Sequence, residues 1–394
     1  MFRIRRVTPR FGRATESARR PRQGSTRNEA AGKWLRSISS IVLAVSVIIA
    51  AGACGAEKPV DPLVLELLGP DDGSSFVVFY GSEIMGSLEG CGCMGNPRLG
   101  GLPYRNALTR AFSSSYPSVE SINVDVGFTS SLITTQHRPV SGDVEAAVDT
   151  TYAALADSGF TAINLTANDI TVARQYLARD GPTAGIAGLL VSANLEPVSP
   201  DFRAPQPFVT RQVAASAGRS SFDIAFIGVT EFPGRLDSSS GYRVTDPVPA
   251  LERVIGTARS QAAVVVVLMY MPASSADSVI GRLGTKPDIA IVASSFGAGS
   301  ADGSIMGSGL EPRLDGPVRV VYSWYKTQKL GVLRVKLGEG NRIESATNSY
   351  VKLDAPIVPD ADAERMVVRQ KEAVRKAKEA RYRAEGVQVT NASP

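Results

Sequence analysis

The feature that most constrains the fold is a series of nine short, mostly apolar runs that alternate with helical segments between residues 76 and 337. Most of these runs are apolar at every position, which is typical of strands buried on both faces of a parallel sheet. One helical segment opens with Asp246-Pro247, an N-cap residue followed by a first-turn proline. The pattern predicts one α/β domain over residues 74–355, with a largely parallel core and antiparallel strands at its end. The predicted strands are 76–80, 122–126, 162–165, 189–193, 224–229, 263–269, 289–293, 318–322 and 331–337.

The charge of the chain is concentrated at its N-terminus. Residues 1–36 contain 11 of the 43 Lys and Arg residues and only two of the 38 acidic ones. The rest of the chain therefore has 32 basic and 36 acidic residues, a net charge of −4. Because the folded part is slightly acidic, we expect no nucleic-acid partner.

An apolar stretch without any charge, residues 37–53, follows the basic region and ends at Cys54. A basic region, an apolar core and small residues at the end predict an export signal. The sequence AGAC resembles the lipobox of bacterial lipoproteins, which implies lipid on Cys54 as the mature N-terminus. An uncleaved membrane anchor and a buried helix are the alternatives. Residues 1–54 are thus the signal segment and 55–73 a tether. The lipoprotein and the uncleaved anchor both predict a membrane-anchored domain outside the cytoplasm.

A glycine-rich loop, residues 87–102 (SLEGCGCMGNPRLGGL), follows the first predicted strand. It contains Cys91 and Cys93, separated by Gly92, and later Gly100 and Gly101. Loops between a strand end and a helix are where α/β proteins place their sites. Three interpretations remain open for the cysteines: a redox-active disulfide, half of a soft-metal site, and a structural disulfide. The absence of C-x-x-C-H excludes covalent c-type haem.

Several segments resemble the 5′-nucleotidase branch of the calcineurin-like metallophosphoesterases, in particular exported members with a CGC and a GGL sequence in the first loop. The matching segments are VSANL at 191–195, FIGVT at 226–230, and a helix opened by Asp-Pro that leads into VVVVLM, at 246–269. The resemblance covers roughly residues 74–340. It implies an αββα sandwich, preceded here by the signal segment and followed by a C-terminal helix.

The resemblance also implies two metal ions held by Asp, Asn and His side chains, and these are almost all replaced. Only one histidine, His137, occurs in the chain, and it matches no ligand position, so we expect it to be exposed and non-catalytic. The remaining polar residues at these positions could hold one Ca²⁺ or Mg²⁺ through oxygen alone, or be inert. These oxygen candidates are Glu83, Asp125, Asn168 and Asp169. The replaced ligand positions are Met85, Phe128, Tyr270, Ser294 and Phe296.

Other common active-site motifs are missing from the sequence. It has no G-x-S-x-G elbow and no phosphate-binding G-x-x-x-x-G-K-[ST] loop, and its G-x-G-x-x-G pattern, at 90–95, does not directly follow a predicted strand. Residues 356–394 are predicted to form a C-terminal helix and tail, the helix either packed on the domain or bound to a partner.

We therefore expect an exported, lipid-anchored protein with a metallophosphoesterase-like fold, no catalytic metal centre and no cofactor. It would act in binding or assembly at the cell envelope, together with an envelope protein. The alternatives are an active phosphoesterase with a rebuilt site and an accessory subunit of an envelope electron-transfer complex.

Overall fold

A computed structural model describes residues 73–91, 99–130, 141–178, 185–215, 220–231, 236, 240–293, 310–324, 328–354 and 357–386. The signal segment, Cys54, Cys93, His137, Ser294 and Phe296 lie outside these residues. All described residues belong to one compact unit, Val60–Pro394. No helix in this described part has the length and hydropathy needed to cross a membrane.

Two sheets form the centre of the fold. The first contains six strands in the order β15-β14-β1-β4-β5-β6, and β1, β4, β5 and β6 are parallel to each other. Antiparallel β14 and β15 complete one edge. These strands are β1 (Phe76–Gly81), β4 (Glu120–Asp125), β5 (Phe160–Asn164), β6 (Leu190–Val191), β14 (Lys329–Leu337) and β15 (Ile343–Lys352).

The second sheet has five strands in the order β13-β12-β11-β9-β8, and only the edge strand β8 is antiparallel. Its members are β8 (Phe208–Val213), β9 (Phe222–Thr230), β11 (Val264–Tyr270), β12 (Ile289–Ala293) and β13 (Arg319–Ser323). Two short antiparallel pairs complete the strands: β2 (Glu89–Cys91) with β3 (Leu99–Gly101), and β7 (Leu195–Pro197) with β10 (Tyr242–Val244).

The two sheets pack face to face and helices cover both outer faces. Buried side chains such as Val78, Val124, Phe226 and Val266 fill the space between the sheets. On the second sheet, α4 (Pro247–Gln261) and α5 (Ala273–Arg282) cover the outer face. On the first sheet, the outer face carries α1 (Leu102–Ser115), α2 (Gly142–Asp157), the short α3 (Ile170–Ala173) and α6 (Ala361–Ala384). The prediction of an αββα sandwich is confirmed.

Close packing of the sheets depends on Gly228 in β9. A Cβ atom there would lie 2.3 Å from the Val191 carbonyl oxygen and 2.5 Å from Asn164 Oδ1. Asn164 is fully buried, and its amide donates to the carbonyls of Val126 (2.9 Å) and Val229 (2.9 Å). Val126 follows β4 of the first sheet, and Val229 lies in β9 of the second sheet. The amide therefore links the two halves near the carboxyl ends of the strands.

The C-terminal helix α6 packs on the domain. Asp360 is its N-cap and accepts from Ala363 N at 2.9 Å, and Ala363 and Val367 are buried in the cluster beneath α2. Gln370, which is 6% exposed, is the buried polar residue of this interface. Of the two alternatives for the helix, packing on the domain is the one observed.

Candidate functional site

The site lies at the carboxyl ends of β1, β4, β5 and β11, where the chain positions matched to metal ligands lie. Four non-glycine residues of the described part have a positive φ, and three of them are Glu83 (62°), Met85 (52°) and Phe128 (61°). Such left-handed conformations are unfavourable for residues with a Cβ and concentrate at functional sites. The two loops hold each other in this shape, because Glu83 N donates to Gly127 O (2.9 Å) and Met85 N to Phe128 O (3.1 Å).

Glu83, Phe128 and Tyr270 form one buried cluster. Tyr270 OH donates to Glu83 Oε1 at 3.2 Å, and Glu83 is only 1% exposed. The Phe128 ring packs edge-on against Tyr270, with centroids 6.0 Å apart and planes at 68°. Met85 packs against the same core between the sheets. An aromatic pair and a thioether therefore occupy the positions at which the resemblance places metal ligands.

Asp169 is a structural carboxylate. It is fully buried and accepts from Phe128 N (3.2 Å), Ser130 N (2.7 Å), Thr166 N (3.0 Å) and Thr166 Oγ1 (2.6 Å). Burial raises its pKa, and these hydrogen bonds act in the opposite direction. The neighbouring Asn168 accepts from Ser130 Oγ through its backbone carbonyl, at 3.2 Å. Asp169 thus fixes the loop that carries Phe128.

Asp125 lies at the end of β4 and interacts with the guanidinium of Arg105. Its Oδ1 accepts from Gly127 N (2.9 Å) and Thr129 Oγ1 (3.3 Å), while its buried Oδ2 has no hydrogen-bond partner among the described residues. Burial raises the pKa of Asp125 to about 7, and the nearby Arg105 guanidinium opposes this rise. Arg105 is itself buried, which lowers its pKa to about 10.

The donor set does not fit a two-metal centre. Within the described ranges, no group of three or more His, Cys, Asp and Glu side chains is arranged to hold a metal ion. Glu83 faces Tyr270, Asp125 interacts with Arg105, and Asp169 already accepts four hydrogen bonds. Divalent cations in such sites need several converging oxygen or imidazole ligands. Glu83, Asp125 and Asp169 therefore each have protein partners of their own, although Asp125 and Asp169 are close enough to interact electrostatically.

The cysteine loop forms the short hairpin of β2 and β3 between β1 and α1. Cys91 lies in β2, paired with Leu99 of β3, and residues 92–98 lie outside the described part, as does any pairing of Cys91 with Cys93. At the base of the hairpin, Gly101 has φ 96° and a Cβ there would lie 2.6 Å from Gly90 N. Gly100, with φ 85°, donates its N–H to Leu353 O at 2.6 Å. The glycines thus allow a tightly closed hairpin.

Sequence reasoning missed Gln370, which holds the base of this hairpin. Its Oε1 accepts from Leu88 N (3.1 Å), and its Nε2 lies within hydrogen-bond distance of Gly86 O (3.2 Å), Ala147 O (3.1 Å) and Thr151 Oγ1 (2.7 Å). Next to it, Lys371 pairs with Glu89 at 2.7 Å. The only signal in the sequence was a glutamine within a charged helix, which does not identify such a role.

Two facing sheets, helices on both outer faces and ligand positions at the strand ends define the calcineurin-like metallophosphoesterase fold, as found in 5′-nucleotidases. Among solved structures, the chain is similar to the sulfate thiohydrolase SoxB of Thermus thermophilus, with TM-score 0.58 and 13% identity over 77% of this chain and 61% of that one. A 5′-nucleotidase precursor from Thermus thermophilus gives TM-score 0.55 and 14% identity over 76% and 59%. The calcineurin-like phosphoesterase YfkN of Bacillus subtilis gives 0.53 and 12% over 77% and 98%.

These likenesses concern the fold, since the identities are low. The chain spans about three-fifths of the length of the two Thermus proteins. No protein-family model and no curated protein sequence matches the chain.

Proposed function

We propose that this protein is an exported, lipid-anchored member of the metallophosphoesterase fold that has no catalytic metal centre and that binds or assembles with an envelope protein. The observation that carries the proposal is the cluster of Glu83, Phe128 and Tyr270 at the strand ends. A two-metal phosphoesterase needs ions there to activate water and to bind the phosphate oxygens. Aromatic rings supply neither function.

The backbone of the site supports descent from a metal-binding ancestor. Met85 and Phe128 have positive φ values although neither is a glycine. The cost of such a conformation is on the order of 1–3 kcal/mol for each residue. The loops are retained because their hydrogen bonds run between backbone groups, so the side chains could be replaced without a change of loop shape.

The hairpin is the part of the site that is best suited to partner binding. Gln370 of α6 fixes its base at Gly86 and Leu88, and the tip with Cys93 lies outside the described residues. A hairpin on a rigid base loses less conformational entropy on binding than a free loop does. We propose that its tip contacts an envelope partner and that Cys91 and Cys93 make this contact sensitive to redox state.

The anchor is the second part of the proposal. Lipid on Cys54 would place the domain at the outer surface of a membrane, connected by the tether 55–73. A single lipid chain binds membranes only marginally, so stable anchoring needs a second signal such as a further acyl chain.

Metal analysis and phosphatase assays on the purified protein test the absence of a metal centre. We expect less than one tightly bound Mn, Zn, Fe, Ca or Mg per ten protein molecules, and no hydrolysis of nucleotides or an aryl phosphate above background. An active phosphoesterase of the same fold, assayed in parallel, is the control. A turnover near 10 s⁻¹, the median for enzymes, that chelator and Glu83→Gln both abolish would establish the alternative of a rebuilt active site.

A further inference from the structure

A groove of about 620 Å³ lies on one side of the sandwich, where the starts of β5 and β6 come near the edge strand β8. Its wall includes the polar residues Thr161 and Gln206 and three apolar side chains, those of Leu189, Phe208 and Val209. Each of these three is only partly buried, at the margin of a hydrophobic cluster. The groove therefore leaves apolar surface accessible beside an edge strand.

The edge strand β8 can accept a further strand. It has β9 on one side, and no other strand of the described part pairs with its other side. Thr210, Arg211 and Gln212 in its second half are exposed. Every second residue of such a strand directs its N–H and C=O groups away from its neighbour, and these groups can pair with an added strand. Since Phe208–Val213 has 6 residues, the added strand would be of similar length.

A run of matching length, residues 63–68 (LVLELL), occurs just before the described part of the chain. Five of its six residues are apolar, Pro62 precedes it, and Gly69-Pro70 follows it. These breakers leave too few residues for a stable helix, whereas roughly four to eight apolar residues between turn signals are typical of a strand. In water such a run would expose apolar surface that burial in a groove would stabilise.

The start of β1 lies close enough to β8 for this run to reach the groove. The ring centroids of Phe76 and Phe222 are 6.2 Å apart, and Phe222 pairs with the last residue of β8. Glu120, beside Phe76 in β4, pairs with Arg211 of β8 at 2.7 Å. With sheets about 10 Å apart and strands about 5 Å apart, the groove lies roughly 15 Å from the start of β1. The linking residues 69–73 can span about 17 Å.

We propose that residues 63–68 of the same chain bind in this groove and pair with the edge of β8 as an additional strand. Because the run must end near the start of β1, it would lie parallel to β8, which ends at the same end of the sandwich. Its leucine side chains would cover Leu189, Phe208 and Val209. Docking would leave only residues 55–62 as the link between Cys54 and the domain. The inference goes beyond the proposed function and depends neither on lipid at Cys54 nor on the absence of a metal centre.

Hydrogen exchange on the full chain tests this proposal. The alternate amides of β8 that point away from β9 should exchange slowly, and Leu65→Asp should accelerate their exchange by roughly tenfold or more. Val60→Asp makes the same kind of change in the tether but outside the run, so it is the matched control and should leave the exchange unchanged. Amides of β12, inside the second sheet, should exchange alike in all three proteins. Neither substitution removes a contact of the described core.

Amides of β8 that exchange at the same rate in the full chain and in Leu65→Asp would overturn the proposal. Slow exchange that persists in Leu65→Asp and increases with protein concentration, together with a dimer in analytical ultracentrifugation, would assign the groove to a second copy of the chain. Fast exchange in both proteins would show that the run does not occupy the groove.

Discussion

The buried carboxyl group of Asp125 should make the stability of this protein depend on pH in an unusual direction. Its pKa rises from 3.8 to about 7, mainly through burial, so the folded state binds this proton more tightly than the unfolded state does. The contribution of this group to the free energy of unfolding is therefore fully present below pH 3.8 and is lost as the pH rises to about 7. Since one pKa unit corresponds to about 1.4 kcal/mol, the total loss is about 4 kcal/mol.

Asp125→Asn isolates this contribution, because an amide oxygen can still accept from Gly127 N while the group no longer titrates. Urea unfolding of both proteins between pH 5 and pH 7 should show the free energy of unfolding of the wild type falling, relative to the variant, by about 1.4 kcal/mol per pH unit. Asp157→Asn, at an exposed position at the end of α2, should follow the wild type at every pH. Parallel curves for wild type and Asp125→Asn would refute the reasoning.

Three further predictions concern the anchor, the hairpin and the C-terminal helix. Cys54→Ser should move the protein from the membrane to the soluble envelope fraction, and mass spectrometry that finds residues 1–36 on the mature protein would contradict lipidation. Thiol labelling in graded redox buffers should show that Cys91 and Cys93 form a disulfide whose reduction potential lies above about −300 mV, higher than that of typical structural bridges. Sulfurs that stay unlabelled until unfolding would contradict this. Gln370→Leu should lower the free energy of unfolding by about 2–4 kcal/mol, because it leaves buried backbone groups unpaired. Lys371→Ala, which removes only an exposed ion pair with Glu89, should cost less than about 1 kcal/mol, and equal effects would refute the role of Gln370.

The elements that sequence reasoning located well are those with a strong local signal. The continuous apolar run at 263–269 became β11 (Val264–Tyr270), and Asp246 caps α4 by accepting from Val248 N at 2.9 Å. The predicted strand at 189–193 is only Leu190–Val191 in the structure. The strands β8 and β15 were missed, because both lie at sheet edges and contain consecutive polar residues instead of an apolar run.

The site was predicted only in part, because its hydrogen bonds join distant segments. The motif positions brought Glu83, Phe128 and Tyr270 to attention, but the contact of Tyr270 with Glu83 spans 187 residues. Arg105 and Gln370 lie in helices without any motif around them. Their roles follow from burial against carbonyl groups of other elements, which a pattern along the chain does not encode.

The strand-end loops keep their shape without metal-ligating side chains. Each loop is held by backbone hydrogen bonds to the other, as with Gly86 N and Thr129 O at 2.7 Å, and by Asp169, which accepts from the backbone of Phe128. Such bonds need no particular side chain at the positions matched to metal ligands. Phe128 and Tyr270 pack against each other at these positions, where a polar side chain without a partner would be costly to bury. The fold therefore accommodates aromatic side chains at the positions matched to metal ligands.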